Sequence, residues 1–164
     1  MLNTKDLNYI IEAHGRFALN VDKTVRYWDK KTPYSIHPIW CAMTILHETS
    51  LPEELRRDGF QALLYHDVLE DSQLKLPDWL SERVQTLVED MTFESSQQEM
   101  IEIWNKPDDV RLVKLYDKTS NLMDGRWMNE EKRKRYTEYT SRLCDDVEKN
   151  YGELNITRIA RAII

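Results

Sequence analysis

An all-α, single-domain fold is the expectation for this chain, and three observations lead to it. Only 4 Gly and 5 Pro interrupt 164 residues, too few breakers for a strand-and-turn architecture. Apolar residues recur at three- and four-residue steps along most of the length, and no stretch keeps the strict alternation of a half-buried strand. The length suits one domain, residues 1–164, with a real core.

Leu7, Ile10, Ile11, His14, Phe17 and Ala18 mark a first helix, with Thr4 able to cap its start. Residues 20–32 read as a polar connection. A second helix begins near Ser35, with Pro38 in its first turn, where a missing N–H costs little. Ile39, Cys41, Ala42, Ile45 and Leu46 supply its inner face. Pro52 opens a third helix through Phe60, Leu63 and Leu64 to Glu70, weakened by Gly59. After a loop with Pro77, a fourth spans residues 79–89 on a stripe of Leu80, Val84, Leu87 and Val88. A shorter helix covers 97–104. Pro107 and Asp108 start the next, which runs to Leu122 and stops at Gly125. A long amphipathic helix from 130 to about 151 ends at Gly152. The last, 156–163, either packs back or frames a homodimer.

A net charge of −6 argues against a binder of nucleic-acid polymers, which needs a basic footprint. A small anion is still allowed, because residues 16–31 carry a local net of +3 from Arg16, Lys23, Arg26, Lys30 and Lys31 against two Asp. Cys41 and Cys144 form no disulfide or zinc pattern and read as buried reduced thiols. No apolar run approaches the roughly 20 residues that span a bilayer. The expected location is the cytoplasm, with no membrane partner.

The chemistry concentrates in three places. His66-Asp67-Val68-Leu69-Glu70-Asp71 follows the apolar Ala62-Leu63-Leu64-Tyr65. On a helix, Glu70 shares a face with His66 and Asp71 with Asp67. His66 and Asp67 are therefore candidate ligands, with Glu70 and Asp71 beside them toward a bound water. His37 stands near a helix start in an apolar context. Asp117 interrupts a hydrophobic helix face, and a buried carboxylate is costly unless paired or metal-bound; Asn121 shares its face. Two imidazoles and two carboxylates suit one divalent first-row ion. Mn²⁺ is the first choice, with Fe²⁺, Co²⁺ and Zn²⁺ as alternatives. Arg26, Lys30, Lys31 and Lys118 are candidates to balance substrate charge, and each reads equally well as a solvated cation. Trp28 is a stacking candidate and Trp40 a core residue, while Lys132-Arg133-Lys134-Arg135 reads as a solvated helix face.

The order His37, His66-Asp67, Asp117 resembles the H…HD…D pattern of the HD superfamily of metal-dependent phosphohydrolases. Thr32-Pro33-Tyr34-Ser35-Ile36-His37-Pro38-Ile39, Ala62-Leu63-Leu64-Tyr65-His66-Asp67 with Glu70-Asp71, and Leu112-Val113-Lys114-Leu115-Tyr116-Asp117-Lys118 with Asn121-Leu122 bring it closer to one branch. These motifs resemble the hydrolase domain of RelA/SpoT-type enzymes and the stand-alone small alarmone hydrolases, from about His14 through the C-terminal helices. The resemblance implies a helical HD bundle that removes the 3′-pyrophosphate of guanosine tetraphosphate (ppGpp) with Mn²⁺. It implies that Glu70 and Asp71 activate water, that Asn121 contacts the nucleotide and that Arg26 lies near base or phosphates. The chain departs from the branch in its longer 15–32 segment, in Lys31 where a Gly is usual, and in Tyr65 and Tyr116. Two alternatives stay open: a phosphatase of a nucleoside monophosphate or NADPH with the same site, and a catalytically silent nucleotide-binding HD module.

Overall fold

The computed structural model describes residues 3–164. Among them are nine α-helices: α1 Thr4–Ala13, α2 Ile36–Ile45, α3 Glu53–Tyr65, α4 Val68–Asp71, α5 Glu82–Met91, α6 Ser96–Glu102, α7 Asp108–Met123, α8 Glu130–Tyr151 and α9 Asn155–Ile163. Short 3₁₀ turns occur at Val21–Lys23, Ile103–Asn105 and Gly125–Trp127. The described residues form no strand, only isolated bridges between Ala18 and Ser72 and between Val25 and Pro33.

Helix α7 is the central post. It packs against α2, α3, α5, α8 and α9, and most of its length is buried, including Leu112, Val113, Leu115 and Tyr116. A helix enclosed on all sides has no solvent face for its polar residues, so Lys114, Asp117, Lys118 and Ser120 must find partners inside the protein. Around it Ile45, Phe60, Leu63, Leu64, Val84, Leu87 and Leu143 complete one core. Each such side chain, fully buried, contributes about 1.5–3 kcal/mol of transfer free energy. Gly59 lets α2 and α3 approach closely: a Cβ there would stand 2.6 Å from Ile45 Cδ1.

Several element ends differ from the sequence-based expectation, each for a local reason. Asn3, not Thr4, caps α1, its side chain accepting from Asp6 N at 2.9 Å. The helix stops at Ala13, so Phe17 and Ala18 lie beyond it; there the backbone pairs with the 71–73 segment, through Leu19 N to Asp71 O and Gln73 N to Phe17 O, both 2.9 Å. The expected 52–70 helix breaks between Tyr65 and Val68, with Asp67 at φ −91°, ψ −4°. That is the sparsely populated bridge region in which many active-site residues sit. Helix α5 starts only at Glu82, because Ser81 caps it by accepting from Val84 N; Trp79 lies in the preceding loop, its indole donating to Asp6 Oδ1 at 3.2 Å. Gly125 opens a 3₁₀ turn instead of a left-handed cap, whereas Gly152, at φ 77°, does end α8.

The last helix packs back on α7 and α8. Its first turn is capped by a buried acid from the loop after α2: Glu48 accepts from Asn155 N at 2.9 Å and Ile156 N at 2.8 Å, and also from Tyr116 OH on α7 at 3.2 Å. No described helix is long and apolar enough to cross a membrane.

Candidate metal centre and cleft

Three elements aim side chains at one point. His37 comes from the first turn of α2, His66 and Asp67 from the break between α3 and α4, and Asp117 from the middle of α7. His37 Nε2 and His66 Nε2 are 3.1 Å apart. Asp67 Oδ2 lies 3.3 Å from His37 Nε2 and Oδ1 lies 3.2 Å from His66 Nε2. Asp117 Oδ1 is 3.4 and 3.7 Å from the same two nitrogens. All four residues are buried, and donor atoms of His37, His66 and Asp117 lie within 4.8 Å of one another.

The donors fit an ion. His66 Nδ1 approaches Leu63 O at 2.7 Å; a carbonyl only accepts, so Nδ1 carries the proton and Nε2 turns toward the cluster. Nδ1 of His37 meets Ser120 Oγ at 2.7 Å, which likewise aims its Nε2. Two imidazole nitrogens at that separation, facing two carboxylates, could hold a cation between them. Ligands about 2.0–2.2 Å from a first-row ion stand about 3–3.5 Å from one another, and all but the 3.7 Å separation of His66 and Asp117 fall in that range. The proton is the ion's competitor: burial lowers the pKa of His66, but Asp67 and Asp117 outweigh it and hold it up at about 9. Asp67 and Asp117 themselves sit below the usual carboxylate range: burial opposes this, and for Asp67 the histidines overcome it, for Asp117 chiefly Lys118 and Lys114.

Beside the cluster opens a cleft of about 690 Å³, in the range of small-ligand sites. Glu70 and Asp71 line it. Burial, then repulsion from Asp67 and Asp117, raises Glu70 to about 7 against the pull of Lys114, and its Oε1 accepts from Phe93 N at 3.1 Å. Asp71 is also raised, chiefly by burial, although Lys23 Nζ lies 2.5 Å from its Oδ1.

The residues expected to meet substrate are placed unequally. Arg26, Lys118 and Asn121 line the cleft. Asn121 Nδ2 donates to Asp117 Oδ1 at 2.6 Å. Lys118 is buried against Asp117 and Glu99. Arg26 is buried and spoken for by an ion pair to Asp124 at 3.1 Å and a bond to Ser120 O at 3.0 Å. Lys30 lines a neighbouring groove of about 640 Å³ with Trp28, Tyr27 and Trp127. Exposed Lys31 lines neither cavity. His14 is buried 5.0 Å, ring to ring, from Tyr34, with no hydrogen bond at either nitrogen; burial depresses it to about 4.

Sequence reasoning missed Tyr34, Ser120, Lys23, Lys114 and Glu99. Tyr34 OH donates to Asp67 Oδ2 at 2.9 Å. Ser120 was legible, since it stands three residues after Asp117 on the same helical face. Lys114 stands three residues before Asp117 and was legible on the same ground; Tyr34, Lys23 and Glu99 depend on contacts between elements far apart in the chain.

The described residues form an all-helical bundle with a buried His, His-Asp, Asp quartet beside a polar cleft, the arrangement expected of an HD-type metal-dependent phosphohydrolase. No family model matches the chain, but curated relatives do. It is 30% identical over 132 residues to the guanosine-3′,5′-bis(diphosphate) 3′-pyrophosphohydrolase MESH1 of Xenopus tropicalis, covering 74% of this chain and 72% of that protein. It is 32% identical over 126 residues to MESH1 of Mus musculus, covering 70% and 68%. The chain belongs to this MESH1 family of hydrolases. A solved structure described as a metazoan ortholog of SpoT that hydrolyzes ppGpp shares the fold, with a TM-score of 0.72 over 99% of this chain and 96% of that one at 20% identity.

Proposed function

We propose that this protein is a Mn²⁺-dependent 3′-pyrophosphohydrolase of guanosine 3′,5′-bis(diphosphate), working in the cytoplasm. The observation that carries the reading is the pair of imidazole nitrogens 3.1 Å apart between two buried carboxylates. The curated relatives, named for that reaction, supply the substrate. The two cysteines are buried and free, in keeping with a reducing compartment.

His37, His66, Asp67 and Asp117 would hold the ion. When bound, it supplies Lewis acidity and brings the pKa of a water toward about 7. Hydrolysis adds water across the bond between the ribose 3′ oxygen and phosphorus: the water oxygen goes to phosphorus, and one proton ends on the departing 3′ oxygen. Glu70, held near 7, takes that proton at neutral pH and can return it. Asp71, clamped by Lys23, orients the water. Lys118 and Asn121 stand on the cleft wall beside Asp117, where a cation and a neutral donor offset charge on the transferring group. Arg26 shapes the wall through Asp124 instead of offering a free charge.

A release assay with Mn²⁺ on ppGpp, NADPH and nucleoside mono- and diphosphates tests this. Pyrophosphate from ppGpp, well above all other products, is the expected result. Orthophosphate from another member keeps the site but moves the substrate. Silence across the panel with the ion bound favours a binding module.

A further inference from the structure

Asp117 divides its two oxygens between different neighbours. Oδ1 faces His37 and His66 and accepts from Asn121. Oδ2 faces two ammonium groups, Lys114 Nζ and Lys118 Nζ, each at 3.2 Å. Both lysines are buried, so water does little to screen them. Behind them stands Glu99 of α6, 5% exposed. Its Oε2 lies 2.8 Å from Lys118 Nζ and 3.5 Å from Lys114 Nζ. Lys114 also donates to Met91 O at 2.7 Å. Two cations are thus enclosed between two carboxylates, one of which reaches the metal centre.

On the metal-centre reading above, we propose that Glu99 is a positioning residue for the ion: it neutralises half of the buried lysine pair, so that Asp117 keeps its charge for the metal. The sign of the effect follows from the geometry. Without the Glu99 charge, Asp117 is, among the described residues, the one carboxylate left within 4.0 Å of the two ammonium groups, and surplus positive charge stands beside a site that must take a dication. Metal binding weakens. Anion binding in the same cleft, which Lys118 and Glu99 both line, is held or strengthened. A side chain that merely filled space would lower both together when replaced.

The test is calorimetric titration of the chelator-treated full chain with Mn²⁺, and separately with inorganic pyrophosphate in the absence of divalent ions. Glu99→Gln is expected to bind Mn²⁺ about 10–100-fold more weakly, the usual cost of losing a partner behind a ligand, with pyrophosphate bound at least as tightly as by wild type. In that background Lys118→Met removes the surplus cation and should bring Mn²⁺ affinity back toward wild type. Unchanged Mn²⁺ affinity in folded Glu99→Gln overturns the proposal, as does parallel weakening of both ligands. Further loss of metal in the double variant overturns it too, and that variant carries the test if Glu99→Gln does not fold. Wild-type protein that binds no Mn²⁺ would sink the metal reading itself, a result distinct from all of these.

Discussion

Tyr34→Phe isolates one hydrogen bond. The Tyr34 hydroxyl donates to Asp67 Oδ2 at 2.9 Å and has no other hydrogen-bond partner among the described residues. Burial and the carboxylate of Asp67 push its phenol well above the ordinary range, so it is a donor at any working pH. Phenylalanine fills the same space. A hydrogen bond to a charged group contributes about 1.5–3 kcal/mol, and each 1.4 kcal/mol is about tenfold in affinity. Asp67 keeps its contacts with His37 and His66, so it loses aim without being lost. The Mn²⁺ Kd should therefore rise about 10–100-fold. Calorimetry reads the affinity, and steady-state hydrolysis across a range of Mn²⁺ reads the consequence. Activity should fall when the ion is limiting and return when it saturates, with KM for the nucleotide unchanged. A raised KM that persists at saturating ion would place Tyr34 on the substrate, and an unaltered metal affinity would refute the reasoning outright.

Asp67→Ala should lose both ion and turnover, whereas Glu70→Ala should keep the ion and lose about 10²–10⁴-fold in rate; full activity in the Asp67 variant removes it from the ligand set. Glu70 acts deprotonated, so kcat/KM should rise with pH. Burial and the neighbouring carboxylates hold its pKa at about 7, and a bound cation draws it down, so the limb should have its midpoint at or below about pH 7 and vanish in Glu70→Ala; a rate that falls across that limb contradicts the base assignment. Glu48→Ala strands Asn155 N, Ile156 N and Tyr116 OH. At about 1–3 kcal/mol for each buried unsatisfied group, with some regained from water, the cost is about 2–5 kcal/mol. A chain of this size loses about 2–4 °C of Tm per kcal/mol, so scanning calorimetry should show a fall of at least about 4 °C; an unshifted Tm means the last helix does not depend on Glu48.

Helical spacing exposed most of the fold, because a long apolar stripe such as that of α7 has one period and one way to be buried. The convergence of His37, His66 and Asp117 was legible for a related reason: each interrupts an apolar stretch that has to go inside, taking the polar group with it. Other features have no local mark. The break at His66-Asp67 contains neither Gly nor Pro, and the two helices part only because tertiary contacts hold the bridge conformation. Arg26 reads equally as a substrate-facing or a solvated cation, and its pairing with Asp124, 98 positions on, has no local mark. Lys30 and Lys31 end a basic stretch whose Lys23 and Arg26 do line the cleft, but neither of the two reaches it. Glu99, in a short polar helix, carries no sign of burial; its lysine partners lie 15 and 19 positions further on.

The contacts of Glu48 also bear on the order of events during biosynthesis. Glu48 ties the loop that follows the His37 helix, and through Tyr116 the helix that bears Asp117, to a segment beginning at Asn155. Translation makes that segment after every prospective ligand. At about 5–20 residues per second, several seconds separate Asp117 from Ile163 on the ribosome. Throughout that interval the growing chain carries two histidines and two aspartates without the brace that fixes their spacing. Loose donors of this kind rank metals by intrinsic affinity alone, which favours copper and zinc over manganese. On the metal-centre reading, selection by geometry would begin only once the last helix has docked, and the finished fold, not the nascent chain, would choose the ion.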